Sequence, residues 1–216
     1  MLTFHIQIYV NIMSLMRPHS RMIKASYLTG QLLLSMPCMS DKRFHRAVIY
    51  ICSHSEEGAM GLVINAAASR IDFPGLLDQL DVSYDPKRIS GDYPAGHEVI
   101  LHAGGPVETG RGFILHSADY IQDSTLVISE TVALTATVDI LSAIAAQDGP
   151  ENFIVALGYT GWGKGQLEQE INRNSWLNCE ADDALLFRTD LALKWPRAMS
   201  KIGVDISMLS SNAGNA

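Results

Sequence analysis

The stretch from Arg46 to Asn65, RAVIYICSHSEEGAMGLVIN, constrains this chain more than any other. Val48, Ile49, Tyr50 and Ile51 form a β-branched and aromatic run, and Leu62, Val63 and Ile64 form a second. Between them lies a polar segment, HSEEGAMG, that carries Gly58 and Gly61. Two apolar runs around a short glycine-bearing connection predict a β-hairpin. Neither run alternates with polar residues, so both faces of the hairpin are expected to be buried and its place in the sheet central. Such a sheet needs cover on two sides. A chain of 216 residues has enough length to provide it, since folding at this size buries roughly 70% of the unfolded surface.

The hydrophobic share of 47% against 18% charged residues is that of a compact globule rather than a disordered chain. A formal net charge of −7 argues against non-specific nucleic-acid binding, which rests on counterion release by lysine and arginine. Lys42, Arg43, His45 and Arg46 are the one dense basic group, and they read as a solvated turn. Cys38, Cys52 and Cys179 are odd in number and lack a CxxC spacing. That argues against a disulfide framework or a zinc knuckle and suits a reducing cytoplasm.

Residues 1–22 read as an extension outside the fold. The run from Leu2 to Met16 carries His5, Gln7 and Asn11 and is too short and polar for a membrane helix, which needs about 20 apolar residues. It also lacks the leading positive region and small-residue cleavage site of a signal peptide, and the natural start is expected near Met22. Residues 23–209 are expected to form one domain and residues 210–216 a disordered tail. Within the domain, GQLLLSMP reads as a strand stopped by Pro37, and SDKRFH as a polar connection. A polar loop is expected after Asn65. Phe73, Leu76, Leu77 and Leu80 recur at helical spacing, and residues 81–97 read as the longest loop. Two strands are expected around the turn in HEVILHAGGPVETGRGFILHS, and another at residues 125–129. Leu134, Val138, Leu141 and Ile144 predict one helix that stops before Gly149-Pro150. NFIVALGY reads as a buried strand, GQLEQEINRN as a helix and SWLNCEADDALLF as short extended pieces. The pattern predicts a last amphipathic helix over 189–202, interrupted by Pro196. Strands in adjacent groups, without a steady βαβ rhythm, predict an α+β fold.

Three places invite a chemical reading. GYTGWGKG, Gly158 to Gly165, follows a predicted strand and precedes a helix, and it matches a P-loop up to Lys164. The magnesium-ligating Ser or Thr is replaced by Gly165, which leaves either an anion cradle of backbone N–H groups or a plain helix-entry turn. Trp162 in this segment is either a ligand wall or a cap on the core, while Trp176 reads as core. Gly104 and Gly105 let the backbone approach a ligand closely. Arg111 nearby could hold a carboxylate or phosphate in two hydrogen bonds, and a strand-connecting turn with a solvated arginine explains the same residues. Cys52 and His54 lie at i and i+2, on one face of a strand, as a thiolate–imidazole pair would. No third orienting group is visible, and an inert core cysteine is the alternative. His97, His102 and His116 fit no metal spacing. Glu168 and Glu170, two apart on a helix, do not face each other.

Taken in order, these blocks resemble the YqgE/AlgH family of bacterial proteins, which are described as uncharacterised or as transcriptional regulators. The matching segments are LLLSMPCMSDKRFHRAVIYICSH, GAMGLVIN, GGPVETGRGFILH, LGYTGWGKGQLEQEINRNSWL with ADDALLF, and KIGVDI, together covering roughly residues 26–207. The resemblance implies one α+β domain of coiled, bifurcated mixed β-sheets with packed helices. It makes Gly161-Trp162 and Gly165-Gln166-Leu167-Glu168 the signature and puts Gly163 and Lys164 at variable positions, so the P-loop match is accidental. Where relatives continue Asn-Lys-Pro, this chain has Asn65-Ala66-Ala67, so a ligand role for that lysine does not carry over. It brings no catalytic residues, and its regulatory label, for alginate expression in one branch, comes without a DNA-binding motif.

The expectation is a cytoplasmic protein, with no cofactor or metal, that acts by binding a partner protein or a small anionic ligand, with an indirect regulatory outcome. It leans away from an enzyme. The expected surface gathers Asn65, Gly104, Gly105, Arg111, Gly161, Trp162, Gln166 and Glu170. An enzyme with Cys52 as nucleophile and a direct DNA-binding regulator remain as alternatives, and membrane association is not expected.

Overall fold

The computed structural model describes residues 27–85 and 98–205. The extension at 1–22 with Met22, the 86–97 part of the expected loop with His97, and the tail at 210–216 lie outside the described residues.

The predicted hairpin is present and central. Strands β2 (Val48–Ser55) and β3 (Gly58–Val63) pair antiparallel, and almost every residue in both is buried. On one side β2 pairs with β1 (Gln31–Ser35), and β1 with β10 (Trp176–Glu180), all antiparallel. On the other side β3 pairs with the end of the long strand β9 (Phe153–Gly163), Gly58 opposite Gly163 and Gly61 opposite Thr160. The first half of β9 instead has β5 (Glu98–Ala103) parallel to it and β6 (Val107–Ser117) antiparallel. From β6 the sheet continues through β8 (Val132–Thr135) to β7 (Thr125–Val127), and β4 (Ala67–Asp72) pairs with β5. The sheet is therefore mixed and bifurcated, and the fold is α+β.

The division falls where β9 leaves β5 at Leu157 and takes up β3 from Thr160. Gly158 adopts φ +70 at that point, a conformation that favours glycine. A Cβ on Gly104 would lie 2.3 Å from the Gly158 carbonyl oxygen, and one on Gly105 would lie 2.1 Å from the Tyr159 carbonyl carbon. The backbones pass too closely for any side chain.

Helices α1 (Phe73–Gln79) and α2 (Asp139–Ala145) cover one sheet face with Val99, Ile114 and Val155. A second cluster joins Tyr50, Cys52, Phe113 and Ala156 to Leu185 and Leu186 of a π turn (Ala184–Arg188) and to Trp195, Ala198 and Met199 of α4 (Leu191–Lys201). The third places Leu167 of α3 (Gln166–Asn172) against Ile49, Ile51, Trp162 and Trp176. Strand β9 contributes to all three clusters.

Several local expectations are corrected. The segment after Asn65 is not a loop but β4, held by β5 although its residues are mostly exposed. The stretch expected as one helix from Leu134 is strand β8 followed by α2. Pairing with β6 overrides the helical spacing, and Val138 is left 48% exposed. The two strands expected around the glycine turn are present as β5 and β6, and both pair with β9. Only 176–180 of SWLNCEADDALLF is extended, and ALLFR forms the π turn. The last helix continues through Pro196 without interruption.

Candidate functional site

Each residue expected at the binding surface has partners inside the protein. The Asn65 side chain accepts from the Val48 N–H at 2.8 Å and donates to the Arg46 carbonyl at 2.8 Å, which ties the start of β2 to the end of β3. Gly104 accepts from the Val63 N–H and donates to the Leu157 carbonyl, while the Ala103 N–H donates to Ala66. These bonds bring the segments around Asn65 and Gly104 together, and Gly105 abuts Tyr159 and Thr160, two residues before Trp162. Arg111 lies in the irregular part of β6, with Nη1 3.2 Å from the Glu108 carboxylate and the guanidinium 5.1 Å over the Phe113 ring.

The glycine-rich segment expected as a loop is strand up to Gly163, because the backbones of Gly161 and Gly163 pair with Met60 and Gly58. The Gly163 N–H donates to Gln166 Oε1 at 3.0 Å, so this amide is engaged. Trp162 is buried, and its indole N–H donates to Glu170 Oε2 at 2.9 Å; the Trp176 indole donates to the same oxygen at 2.8 Å. Gln166 Nε2 donates to the other oxygen at 2.9 Å. The two rings meet edge to face with centroids 6.1 Å apart, a favoured aromatic geometry. This network joins β9, α3 and β10. Lys164 meets Glu57 at 3.6 Å in solvent, a pair worth little.

The Cys52–His54 pair dissolves for a specific reason. A bulge between Ile51 and Ser53 interrupts the alternation of β2. Cys52 packs in the cluster under α4, whereas His54 pairs with Ala59 of the opposite cluster. Burial pushes the Cys52 thiol far up, so no thiolate is available. His54 Nδ1 accepts from the Leu28 N–H at 3.1 Å, which leaves Nε2–H to donate to Glu168 at 2.8 Å. Both ring nitrogens are occupied in tying residues 27–30 and α3 to β2. Burial lowers the pKa of His116, whose two nitrogens meet Ser117 O and Thr135 Oγ1. Among the described residues no three His, Cys, Asp or Glu side chains gather as a metal site.

A different place carries unspent chemistry. Between β5, β9, the π turn and α4 lies a cavity of about 600 Å³ whose lining includes Arg70, His102, Arg188, Asp190 and Lys194 among apolar residues. Lys194 is 2% exposed. Its Nζ donates to the carbonyls of Leu185, at 3.0 Å, and Leu186, both within the π turn. The turn is closed at its start by Asp182 Oδ1 on the Leu185 N–H and at its end by Thr189 Oγ1 on the Ala184 carbonyl, both at 2.8 Å. Among the described residues no carboxylate pairs with Lys194, and burial lowers its pKa to about 8. An ammonium has three donors, and the third has no acceptor among the described residues. His102 Nδ1 meets the Ile100 and Val155 carbonyls at 3.1 and 3.3 Å, which makes Nε2 the acceptor nitrogen. Burial, aided by the Lys194 charge, lowers its pKa to about 4.

Neither Lys194 nor His102 stood out in the sequence as a site residue, although a signal was there. In LALKWPRAMSKI the apolar stripe runs Leu191, Trp195, Ala198, Met199 and Ile202, and Lys194 falls within it at helical spacing. A lysine on the buried stripe of a helix is the observation that marks the cavity.

The fold and the cavity define an α+β protein on a divided mixed sheet, with a buried, carboxylate-free lysine at its cavity wall. The chain belongs to the AlgH-like family, whose model matches residues 32–207. It is 54% identical over 194 residues to a UPF0301 protein of Rhodopseudomonas palustris, covering 89% of this chain and 88% of that one. Identity to a UPF0301 protein of Beijerinckia indica is 53% over 204 residues, covering 94% and 99%. The solution structure of the AlgH protein from Pseudomonas aeruginosa is similar, with a TM-score of 0.69 at 39% identity, covering 91% of this chain and all of that one. A crystal structure of a protein from Corynebacterium diphtheriae, 19% identical, shares the fold, with a TM-score of 0.61 covering 83% and 90%.

Proposed function

We propose that this protein acts by binding a small anionic ligand in the cavity under the π turn, with an indirect regulatory output. The carrying observation is Lys194, a buried ammonium at the cavity wall without a carboxylate partner among the described residues. A buried charge is costly unless it is paired, and a bound anion supplies the missing charge. Among the described residues Arg188 also lines the cavity and adds to the attraction within a chain of net charge −7. The reading places the site away from Asn65, Gly104, Arg111 and Glu170, whose polar atoms are engaged inside the fold. The regulatory part rests on similarity to the AlgH-like family. The three free cysteines fit a cytoplasmic setting. No described helix is long and apolar enough to cross a membrane.

The test is a thermal-shift screen of the full chain against phosphate, sulfate and carboxylate anions. A ligand at a hundred times its dissociation constant adds about 2.7 kcal/mol, and Lys194→Met should remove the effect. If no anion in the panel shifts the midpoint, the ligand reading fails and the protein-partner reading takes its place.

A further inference from the structure

The cavity that holds Lys194 is larger than an inorganic ion needs. Its volume of about 600 Å³ falls within the roughly 300–1,000 Å³ typical of sites for drug-sized molecules. Val99, Phe153, Leu186, Phe187 and Leu191 contribute to its walls, a surface that an ion alone would leave facing water. The charges are not spread evenly. Lys194 is the buried one, whereas Arg70, Arg188 and Asp190 are exposed residues. One buried cation is neutralised by a single negative charge, and a dianion would leave an excess charge out of water. His102, neutral with its Nε2 lone pair available, adds no positive charge that would favour a second one.

From this juxtaposition we propose that the ligand is an amphipathic monocarboxylate, an acyl or aryl chain whose carboxylate meets Lys194 and whose apolar body lies along Phe153, Phe187 and Leu191. The inference rests on the anion-binding reading and goes further by stating the rest of the molecule. The carboxylate accepts the third N–H of Lys194 while the two carbonyls of the π turn hold the ammonium in place. The chain displaces water from apolar walls, and this term grows with its length.

The experiment is titration calorimetry of the full chain with acetate, butyrate, hexanoate and octanoate, and with octanol as the uncharged counterpart. Affinity should rise along the acid series by up to about fourfold for each buried CH₂. Octanol should bind about tenfold more weakly than octanoate or worse, the factor for losing a charged hydrogen bond. Arg188→Glu alters an exposed rim residue and should weaken octanoate without unfolding the protein. It covers the case in which Lys194→Met fails to fold. Equal binding of acetate and octanoate would overturn the amphipathic inference and leave the anion reading intact. Octanol binding as tightly as octanoate, or no heat from any acid, would overturn the monocarboxylate inference, whereas the anion reading falls only if phosphate, sulfate and the carboxylates all leave the thermal midpoint unchanged.

Discussion

Glu170 holds the indole nitrogen of Trp162 at 2.9 Å and, with the same carboxylate oxygen, that of Trp176. One acidic side chain of a seven-residue helix thus ties together two strands that are distant in the sheet order. Glu170→Gln keeps the shape but removes the charge, so the two indoles share a neutral amide oxygen while the new NH₂ faces the Gln166 donor. It should cost about 2 kcal/mol, given that hydrogen bonds to charged groups contribute about 1.5–3 kcal/mol each. Urea unfolding followed by tryptophan fluorescence measures this, and a midpoint equal to wild type would show the bonds to be dispensable.

Lys194 makes stability depend on alkaline pH. Its pKa is about 8 in the folded protein against 10.5 in the ordinary state, so between these values the unfolded chain holds a proton that the folded one has released. Stability should therefore rise with pH across that window, by about 3 kcal/mol if the whole shift is realised. The reference is Lys194→Met, which removes this contribution and retains those of Tyr50 and the cysteines. The difference between the two proteins, read from urea midpoints, should change between pH 7.5 and pH 10, and it would be the same at both if Lys194 titrated normally.

Cys38 is exposed, whereas Cys52 and Cys179 are buried, and burial raises both of their thiols. Iodoacetamide at neutral pH should label Cys38 alone in the native protein and the other two only in denaturant. Mass spectrometry of the labelled peptides decides this. Fast native labelling of Cys52 would restore a nucleophilic role.

Gly104 and Gly112 separate the two meanings a glycine can have in this chain. A Cβ on Gly104 meets the Gly158 carbonyl, and one on Gly112 meets nothing within 4 Å. Gly104→Ala should therefore lose at least about 2 kcal/mol through overpacking. Gly112→Ala should stay within about 0.5 kcal/mol of wild type. Similar midpoints for the two variants would argue that the close crossing relaxes.

The elements legible in the sequence were those whose burial is written into consecutive residues. The Val48–Ile51 and Leu62–Ile64 runs announced their hairpin, and Asn152–Tyr159 announced β9, because strands covered on both faces have no polar alternation to blur them. Elements decided by partners were not legible. Val132–Thr135 became a strand because β6 was there to pair with it, and Ala67–Asp72 because β5 was. The bulge that parts Cys52 from His54 left no mark in the residue types. Of the residues expected at the binding surface, Asn65, Gly104 and Trp162 also make polar contacts inside the fold. The lysine on the apolar stripe of α4 is legible in the sequence only by its helical spacing with Leu191, Trp195 and Ala198, a signal blurred by the other charges on that helix.

The division of the sheet at β9 also sets an order of assembly. Gly58 and Gly163 are opposite each other although about 100 positions separate them, and Gln31 waits for Glu180 across about 150. Until the ribosome has released residues 153–163, the free edges of β3, β5 and β6 have no lasting neighbour. Loop closure over such spans slows folding, and unpaired edges attract one another in the interval. Production of this protein should therefore depend more on chaperone supply and growth temperature than its native stability would suggest.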